Sequence, residues 1–293
     1  MLLLLAVAPS ARAQDFDSRC AALLGTRAGL VMVADPNSGR LLAVVHPGLA
    51  DSPAPPGSVF KLVTALAAIQ SGVDTPGEHY VCKGRFRALD GRTRPCWKPG
   101  GHGRLTLEQA LAESCNVTFY QLGERVGLAR LDATARHVGL GSPGSLPSGS
   151  AELLDACIGE GKHLAVTPRQ LLGLVCAIAT DGRLRRPAWT PRALGERIAN
   201  DATLARLRKG MVGSVLFGSS HSALLPGLAI AGKTGTATYV DGSNRTYGWF
   251  VGFAPATSPR VAIVVFLPQS SGLRGAAPLG RRVFETWLAA GRP

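Results

Sequence analysis

Strand-forming sequence lies at both ends of this chain and helix-forming sequence lies between them, and that split restricts the fold more than any other feature. Ala28 to Ala34 and Leu41 to Val45 are apolar runs around Asp35-Pro36-Asn37-Ser38-Gly39-Arg40, whose Pro, Asn and Gly are turn formers, so the pair predicts an antiparallel hairpin. Near the C-terminus, Gly232 to Val240, Tyr247 to Ala254 and Val261 to Leu267 are β-rich runs separated by turn residues, followed by a predicted helix from about Leu279 to Ala290. A hairpin alone cannot bury its apolar face. The expectation is therefore an α+β fold: one antiparallel sheet made of the N-terminal hairpin and the C-terminal strands, flanked by helices, with a mainly helical subdomain inserted between the two halves.

The helical block is marked by its own start and stop signals. After a Pro-rich loop ending Pro55-Pro56-Gly57, Ser58 to Ile69 is uninterrupted helix-compatible sequence closed by Ser71-Gly72. Thr106 with Gln109, and Thr167-Pro168-Arg169-Gln170, each spell a capping box; the first helix should run to about Glu113 and the second should close at Asp181-Gly182. With 293 residues, 46% of them hydrophobic, the chain suffices for one large domain or two small ones. No repeat or low-complexity linker marks a boundary, so residues 14–293 read as a single domain. Residues 1–13 read as a signal peptide, truncated in having no basic residue before the apolar run Met1 to Ala8: Ala11-Arg12-Ala13 has the small-x-small form that precedes cleavage, here before Gln14. Export to the periplasm or cell envelope is expected, and no later stretch reaches the roughly 20 apolar residues of a membrane helix.

The formal charge of +13 arises from 32 basic against 19 acidic residues. The basic residues are scattered and lack the clustered, aromatic-interleaved pattern of a nucleic-acid face, which argues against a nucleic-acid partner. Attraction to an anionic cell envelope and a merely solvated basic surface remain as the two readings of the charge.

Three short motifs carry the chemistry. Ser58 and Lys61, three residues apart in Ser58-Val59-Phe60-Lys61, fall on one helix face, where a buried amine pushed toward its neutral form can activate a hydroxyl; Lys233 would supply the positive charge that pushes it. Ser114 and Asn116 flank Cys115 in a connector between two helices, a spacing that presents a hydroxyl for proton relay and an amide for orienting Lys61 to one cleft. Lys233-Thr234-Gly235-Thr236 falls in a predicted strand, where Gly235 implies close backbone approach. Such an edge suits an extended substrate ending in a carboxylate, with the amides of Ser58 and Thr236 as oxyanion-hole candidates. Singly, each motif is matched by an ordinary turn, helix start or edge strand; their order and flanks distinguish them.

Pro56-Gly57-Ser58-Val59-Phe60-Lys61, Ser114-Cys115-Asn116 and Gly232-Lys233-Thr234-Gly235-Thr236-Ala237 together resemble the transpeptidase module of penicillin-binding proteins, in the superfamily of serine penicillin-recognising acyl transferases that includes the β-lactamases. The resemblance extends over nearly the whole mature chain, through Asp35 to Gly39, Ile158-Gly159-Glu160-Gly161, Thr167 to Gln170 and Tyr247 to Phe253. The segment Cys82 to Tyr120 is most similar to the class B, elongation-type members. The resemblance implies a D,D-transpeptidase in which Ser58 attacks the carbonyl of a D-Ala-D-Ala stem peptide, D-Ala leaves, and an amine of a neighbouring peptidoglycan stem resolves the acyl-enzyme. β-Lactams would acylate the same serine, and no cofactor would be required for catalysis. A D,D-carboxypeptidase or a class D-like β-lactamase would use Ser58 and Lys61 with water as acceptor, although class D enzymes usually have an apolar residue where Asn116 stands. A penicillin-sensing binding module is a further alternative, and such sensors carry membrane helices. Class B members normally carry an anchor and a pedestal domain, neither read in this sequence, which leaves cell-wall synthesis partners open.

Cys82, Cys96, His102 and Cys115 form a separate constellation around the second motif. Three thiols and an imidazole match a structural zinc site, which would pin the connector from behind, and some elongation-type relatives are similar in carrying a metal here. A Cys82–Cys96 disulfide is the competing reading in an oxidising compartment. Cys20, Cys157 and Cys176 read as core or incidental thiols.

Overall fold

The computed structural model describes residues 11–140, 150–161, 163–239 and 243–291, with side chains left out at 11–14, 150 and 151. In chain order its elements are α1 (Ala11–Leu24), β1 (Leu30–Ala34), β2 (Leu41–Val45), a tight turn of helix at Gly57–Phe60 running into α2 (Lys61–Gln70), β3 (Tyr80–Cys82), β4 (Arg85–Arg87), β5 (Thr93–Pro95), β6 (Gly103–Leu105), α3 (Leu107–Ala112), α4 (Asn116–Val126), α5 (Leu128–His137), α6 (Ser150–Cys157), α7 (Pro168–Ala179), α8 (Asp201–Leu216), β7 (Ala231–Thr238), β8 (Thr246–Ala254), β9 (Val261–Pro268) and α9 (Ala277–Ala289).

The sheet is assembled from both ends of the chain, as expected: five strands in the order β2-β1-β9-β8-β7, every neighbour antiparallel. Its central strands are apolar on both faces because both are covered. Along β1, Leu30, Met32 and Ala34 join one core cluster while Val31 and Val33 join the other, and β9 divides in the same way between Ala262, Val264, Phe266 and Val261, Ile263, Val265. The period of two thus sorts side chains between two helical layers. One layer is built from α1 and α9; the other contains α2, α4 and α7.

Both predicted capping boxes are present: Thr106 opens α3 and Thr167 opens α7, each with the reciprocal glutamine bond. The inserted block also holds two ladders that the sequence reading did not identify, β3 with β6 and β4 with β5. Each strand in them is three residues long, too short for a hydrophobic alternation to register, and only β3 buries more than one residue, Tyr80 and Cys82. The leader read over residues 1–13 falls outside the described residues up to position 10, and α1 begins at Ala11. From Phe16 onward α1 is part of the core, with Phe16, Cys20 and Leu24 buried at helical spacing.

Candidate active site

Ser58 sits in the tight turn that leads into α2, half-buried at the bottom of a cleft of 260 Å³ whose walls include Ser114, Asn116, Thr234 and Thr236. The three motifs therefore meet, although they come from a helix start, a helix-helix connector and an edge strand. Two larger grooves flank Arg169 and Arg186 at the start of α7, away from all three motifs.

The meeting depends on glycines. Gly57 has φ +54, and a Cβ there would lie 2.5 Å from the Thr236 carbonyl oxygen; one on Gly235 would lie 2.4 Å from the Pro56 carbonyl oxygen. Only bare backbone lets the serine turn and the strand touch. The close approach expected at Gly235 is thus found, and it is made to the turn that carries Ser58.

Lys61, the first residue of α2, is fully buried. Its Nζ donates to the Ser114 carbonyl at 2.8 Å, to Ser114 Oγ at 3.3 Å and to Asn116 Oδ1 at 2.5 Å, with the Phe119 ring 5.5 Å away. No hydrogen bond joins Lys61 to Ser58 among the described residues. Unliganded catalytic hydrogen bonds are often long, tightening only when substrate arrives. Burial pushes the Lys61 pKa down to about 8, so a substantial fraction is neutral near physiological pH.

Ser114 has φ +54, a left-handed conformation uncommon for a non-glycine residue, and is 6% exposed. The twist turns its hydroxyl and its carbonyl toward Lys61 together. That carbonyl also accepts from Trp97 Nε1 at 3.1 Å, so the connector is held from two sides.

Lys233 is likewise fully buried on β7. Its Nζ donates to Ser219 Oγ at 3.3 Å and to the Thr234 carbonyl at 3.1 Å, and Thr234 Oγ1 donates to the Ser219 carbonyl at 3.1 Å. Burial first, and repulsion from Lys61 second, push the Lys233 pKa well below its ordinary value. The sequence reading had Lys233 depressing Lys61. Repulsion between the two buried ammonium groups is mutual, and Lys233 meets it with two acceptors where Lys61 has three.

Two residues beside the motifs escaped the sequence reading. Ser220 Oγ accepts the Thr234 amide at 3.0 Å, and the Glu160 carboxylate faces the Thr238 amide, which opposes the rise in its pKa that burial causes. Since strand amides alternate sides, Thr236 also directs its N–H to this free edge, between these two neighbours. It fits the oxyanion-hole role expected of it. Ser219 and Ser220 follow the end of α8 in what reads as an ordinary turn, and Glu160 lies in a Gly-Glu-Gly segment; neither has a local signature.

The four candidate metal ligands converge behind Ser114, with their donor atoms all within 4.8 Å of one another. Cys82 Sγ and Cys96 Sγ stand 3.6 and 3.5 Å from His102 Nδ1, and Cys96 Sγ stands 4.0 Å from Cys115 Sγ. Thiolate and imidazole ligands of a tetrahedral zinc are about 3.5–3.8 Å apart, from bond lengths of about 2.0–2.3 Å. The four residues therefore fit zinc. The neighbouring Cys115 thiol first, and the nearby amides of Lys98, Val117 and Asn116, draw the Cys96 pKa down toward the thiolate despite burial. The six cysteines are unbridged in the structure, and the sulfurs of Cys82 and Cys96 both face the His102 imidazole.

Comparison with known proteins agrees with this geometry. Residues 29–285 match the family described as "Penicillin binding protein transpeptidase domain". The peptidoglycan D,D-transpeptidase PbpA of Mycobacterium tuberculosis is 29% identical over 96% of this chain and 71% of its own length. Stage V sporulation protein D of Bacillus subtilis is 29% identical over 74% of this chain and 38% of its own length. Among solved structures, the D,D-transpeptidase domain of a peptidoglycan glycosyltransferase from Eggerthella lenta superposes with a TM-score of 0.83 at 25% identity, covering 94% of this chain and 81% of that one. The PBPA structure from M. tuberculosis gives 0.80 at 27% identity, covering 95% and 79%. With the Ser58 turn, the Ser114–Asn116 connector and the lysine-bearing edge strand all inside the matched span, the chain belongs to the penicillin-binding protein transpeptidase family.

Proposed function

We propose that this chain is an exported D,D-transpeptidase that cross-links peptidoglycan stem peptides through an acyl-enzyme on Ser58. The observation that carries the reading is the placement of a half-buried Ser58 in one cleft with Lys61, Ser114, Asn116 and an open strand edge ending at Lys233. An extended donor peptide would lie along β7, its terminal carboxylate at Lys233, Thr234 and Ser219 and its reactive carbonyl oxygen at the amides of Ser58 and Thr236. The carboxylate would restore to Lys233 the charge that burial disfavours.

In the first half-reaction neutral Lys61 takes the Ser58 proton as Oγ bonds to the carbonyl carbon. The proton passes through Ser114 Oγ to the departing amine as the C–N bond breaks, and D-Ala leaves. In the second, an acceptor amine attacks the ester, a C–N bond forms, the C–O bond to Ser58 breaks, and the proton returns to Ser58 Oγ by the same relay. A β-lactam reacts through the first half alone. Among similar structures, penicillin-binding protein A of M. tuberculosis is described as an imipenem acyl-enzyme complex, at 27% identity. Incubation with a fluorescent penicillin should label the purified protein covalently and leave Ser58→Ala unlabelled. Equal labelling of both would remove Ser58 as the nucleophile.

Cys82, Cys96, His102 and Cys115 would hold a structural zinc, whose chemistry here is to fix the loop that carries Ser114. Native mass spectrometry should show one zinc per chain, lost with Cys82→Ser, and Ser58 labelling should slow when a chelator strips it. Export rests on the N-terminal apolar run and its small-x-small end. Among the described residues no helix is long and apolar enough to cross a membrane.

A further inference from the structure

We propose that the trough beside the start of α7, at the sheet edge opposite the cleft, is a second substrate site that holds a glycan strand of peptidoglycan: Trp189 stacks on a sugar ring while Arg186 and Arg192 receive carboxylates of the attached stems. The inference deepens the acyl-transfer reading, which supplies the polymer, and rests on it.

Two grooves, of 470 and 700 Å³, share Asp51, Arg169, Arg186 and Pro187 in their walls, so they form one trough. Its larger half is bounded by β2, at the far edge of the sheet from β7, and by the segment that carries Trp189 and Arg192. That segment is pinned immediately before the tryptophan. The Ala188 amide donates to the Gly39 carbonyl at 3.1 Å, the Ala188 carbonyl accepts from the Leu41 amide at 2.8 Å, and Arg169 Nη1 donates to the Pro187 carbonyl at 2.9 Å. Trp189 leaves this fixed backbone and is nevertheless 54% exposed. Among the described residues no ring stacks on it and no cation covers it. An indole so held presents a flat apolar face that loses little freedom when a ligand settles on it.

Charge sets the sign of the ligand. Asp51 is the one acidic residue on the trough walls, and Arg169 engages it twice, at 2.8 and 3.0 Å. Arg186 reaches Asp51 only through space, and among the described residues neither Arg186 nor Arg192 forms a hydrogen bond or an ion pair. Two exposed guanidinium groups therefore stand ready for anions, and their planar forks match carboxylates. The rest of the wall sets the ligand class. A fatty acyl chain would strip water from the Asp51–Arg169 pair and from the Thr190 hydroxyl without replacing the lost hydrogen bonds. A pyranose offers a C–H face to the indole and hydroxyls to those polar groups. Peptidoglycan joins such rings to stems that bear carboxylates, and it is the polymer on which the cleft would act. A strand held in the trough raises the effective concentration of its stems at Ser58.

The probe is soluble, uncross-linked glycan strands with their stems attached, titrated against protein already treated with benzylpenicillin so that the cleft is closed to the stems. Affinity should fall by at least about tenfold in Trp189→Ala and in the double variant Arg186→Gln with Arg192→Gln, whereas Trp189→Tyr, which keeps a flat ring, should stay within about threefold of wild type. It should also fall by about tenfold between low salt and about 1 M salt, where charges are screened. Neutral chitin oligosaccharides, which offer the sugar alone, should bind more weakly and without that salt dependence. No binding by the wild type, or binding unchanged in both Trp189→Ala and the arginine double variant, overturns the proposal. So does capture by phosphatidylglycerol vesicles in preference to the strands, if Trp189→Ala abolishes it. The salt and chitin comparisons need no variant, so a poorly folding substitution still leaves a deciding measurement. Failure of a fluorescent penicillin to label the wild type would instead overturn the acyl-transfer reading, with strand binding then measured on the untreated protein.

Discussion

Lys61 and Lys233 are chemically identical side chains, both fully buried, and their neighbours give them different tasks. Lys61 is held by three acceptors from the Ser114–Asn116 connector and titrates at about 8, which suits a base. Lys233 has fewer acceptors and is likewise pushed well below its ordinary pKa, which suits a group that charges when an anion arrives. The sign of the pH effect follows. Lys61 must be neutral to accept the Ser58 proton, so acylation should rise about tenfold per pH unit below 8 and level off above it. A stopped-flow acylation profile checks this, and a rate that falls between pH 6 and 8 would remove Lys61 as the base. At this scale the sequence was informative where chemistry repeats a pattern: Ser58, Lys61, Ser114, Asn116, Lys233 and Thr236 all reach the cleft or its floor. Ser220 and Glu160 were not legible, because each meets the site only at the backbone of β7, and nothing within six residues of either one encodes that strand.

At the scale of elements, legibility followed the strength of local signals. The hairpin, the two capping boxes and the C-terminal strands were predicted from turn residues and periodicity and are present. α8 was not read, although it is 16 residues long. Its interior carries Gly210 and Gly213, which weaken helix propensity, and the structure shows why they are there: a Cβ would lie 2.7 Å from Leu111 at one and 3.1 Å from Ala112 at the other. Tertiary packing against α3 outweighed propensity. The same logic gives a test for β7. Gly235→Ala would drive a methyl toward Pro56 and Val59, so it should slow Ser58 acylation by more than about tenfold and lower stability by about 1–3 kcal/mol in urea unfolding. Wild-type acylation in that variant would show that the serine turn tolerates displacement.

Over the whole molecule, the inserted helices are fastened together by a buried charge cluster away from the cleft. Arg206 on α8 pairs with Asp74 at 2.7 Å and with Glu108 on α3 at 2.5 Å, while Tyr80 Oη donates to Asp74 at 2.6 Å. The Asp74 side chain has no solvent exposure on its paired group, so removing the cation leaves a buried charge without its partner. Arg206→Ala should therefore cost about 3 kcal/mol or more in chemical unfolding, with acylation preserved below the transition. Loss of acylation without loss of stability would tie the cluster to the cleft instead.

The two edges of the sheet are treated differently. On β2 the Val44 amide is taken by Asp17 of α1 at 2.8 Å and the Leu41 amide by the Ala188 carbonyl at 2.8 Å, while β7 keeps an open face. An open edge is a template on which a second chain can assemble. Here the Ser220 hydroxyl occupies the Thr234 amide and the Glu160 carboxylate faces that of Thr238, with Thr236 between them. A whole strand from another copy would need all three, whereas a short peptide ending in a carboxylate needs one and the lysine beside it. The same pair of side chains therefore guards the protein against edge-to-edge aggregation.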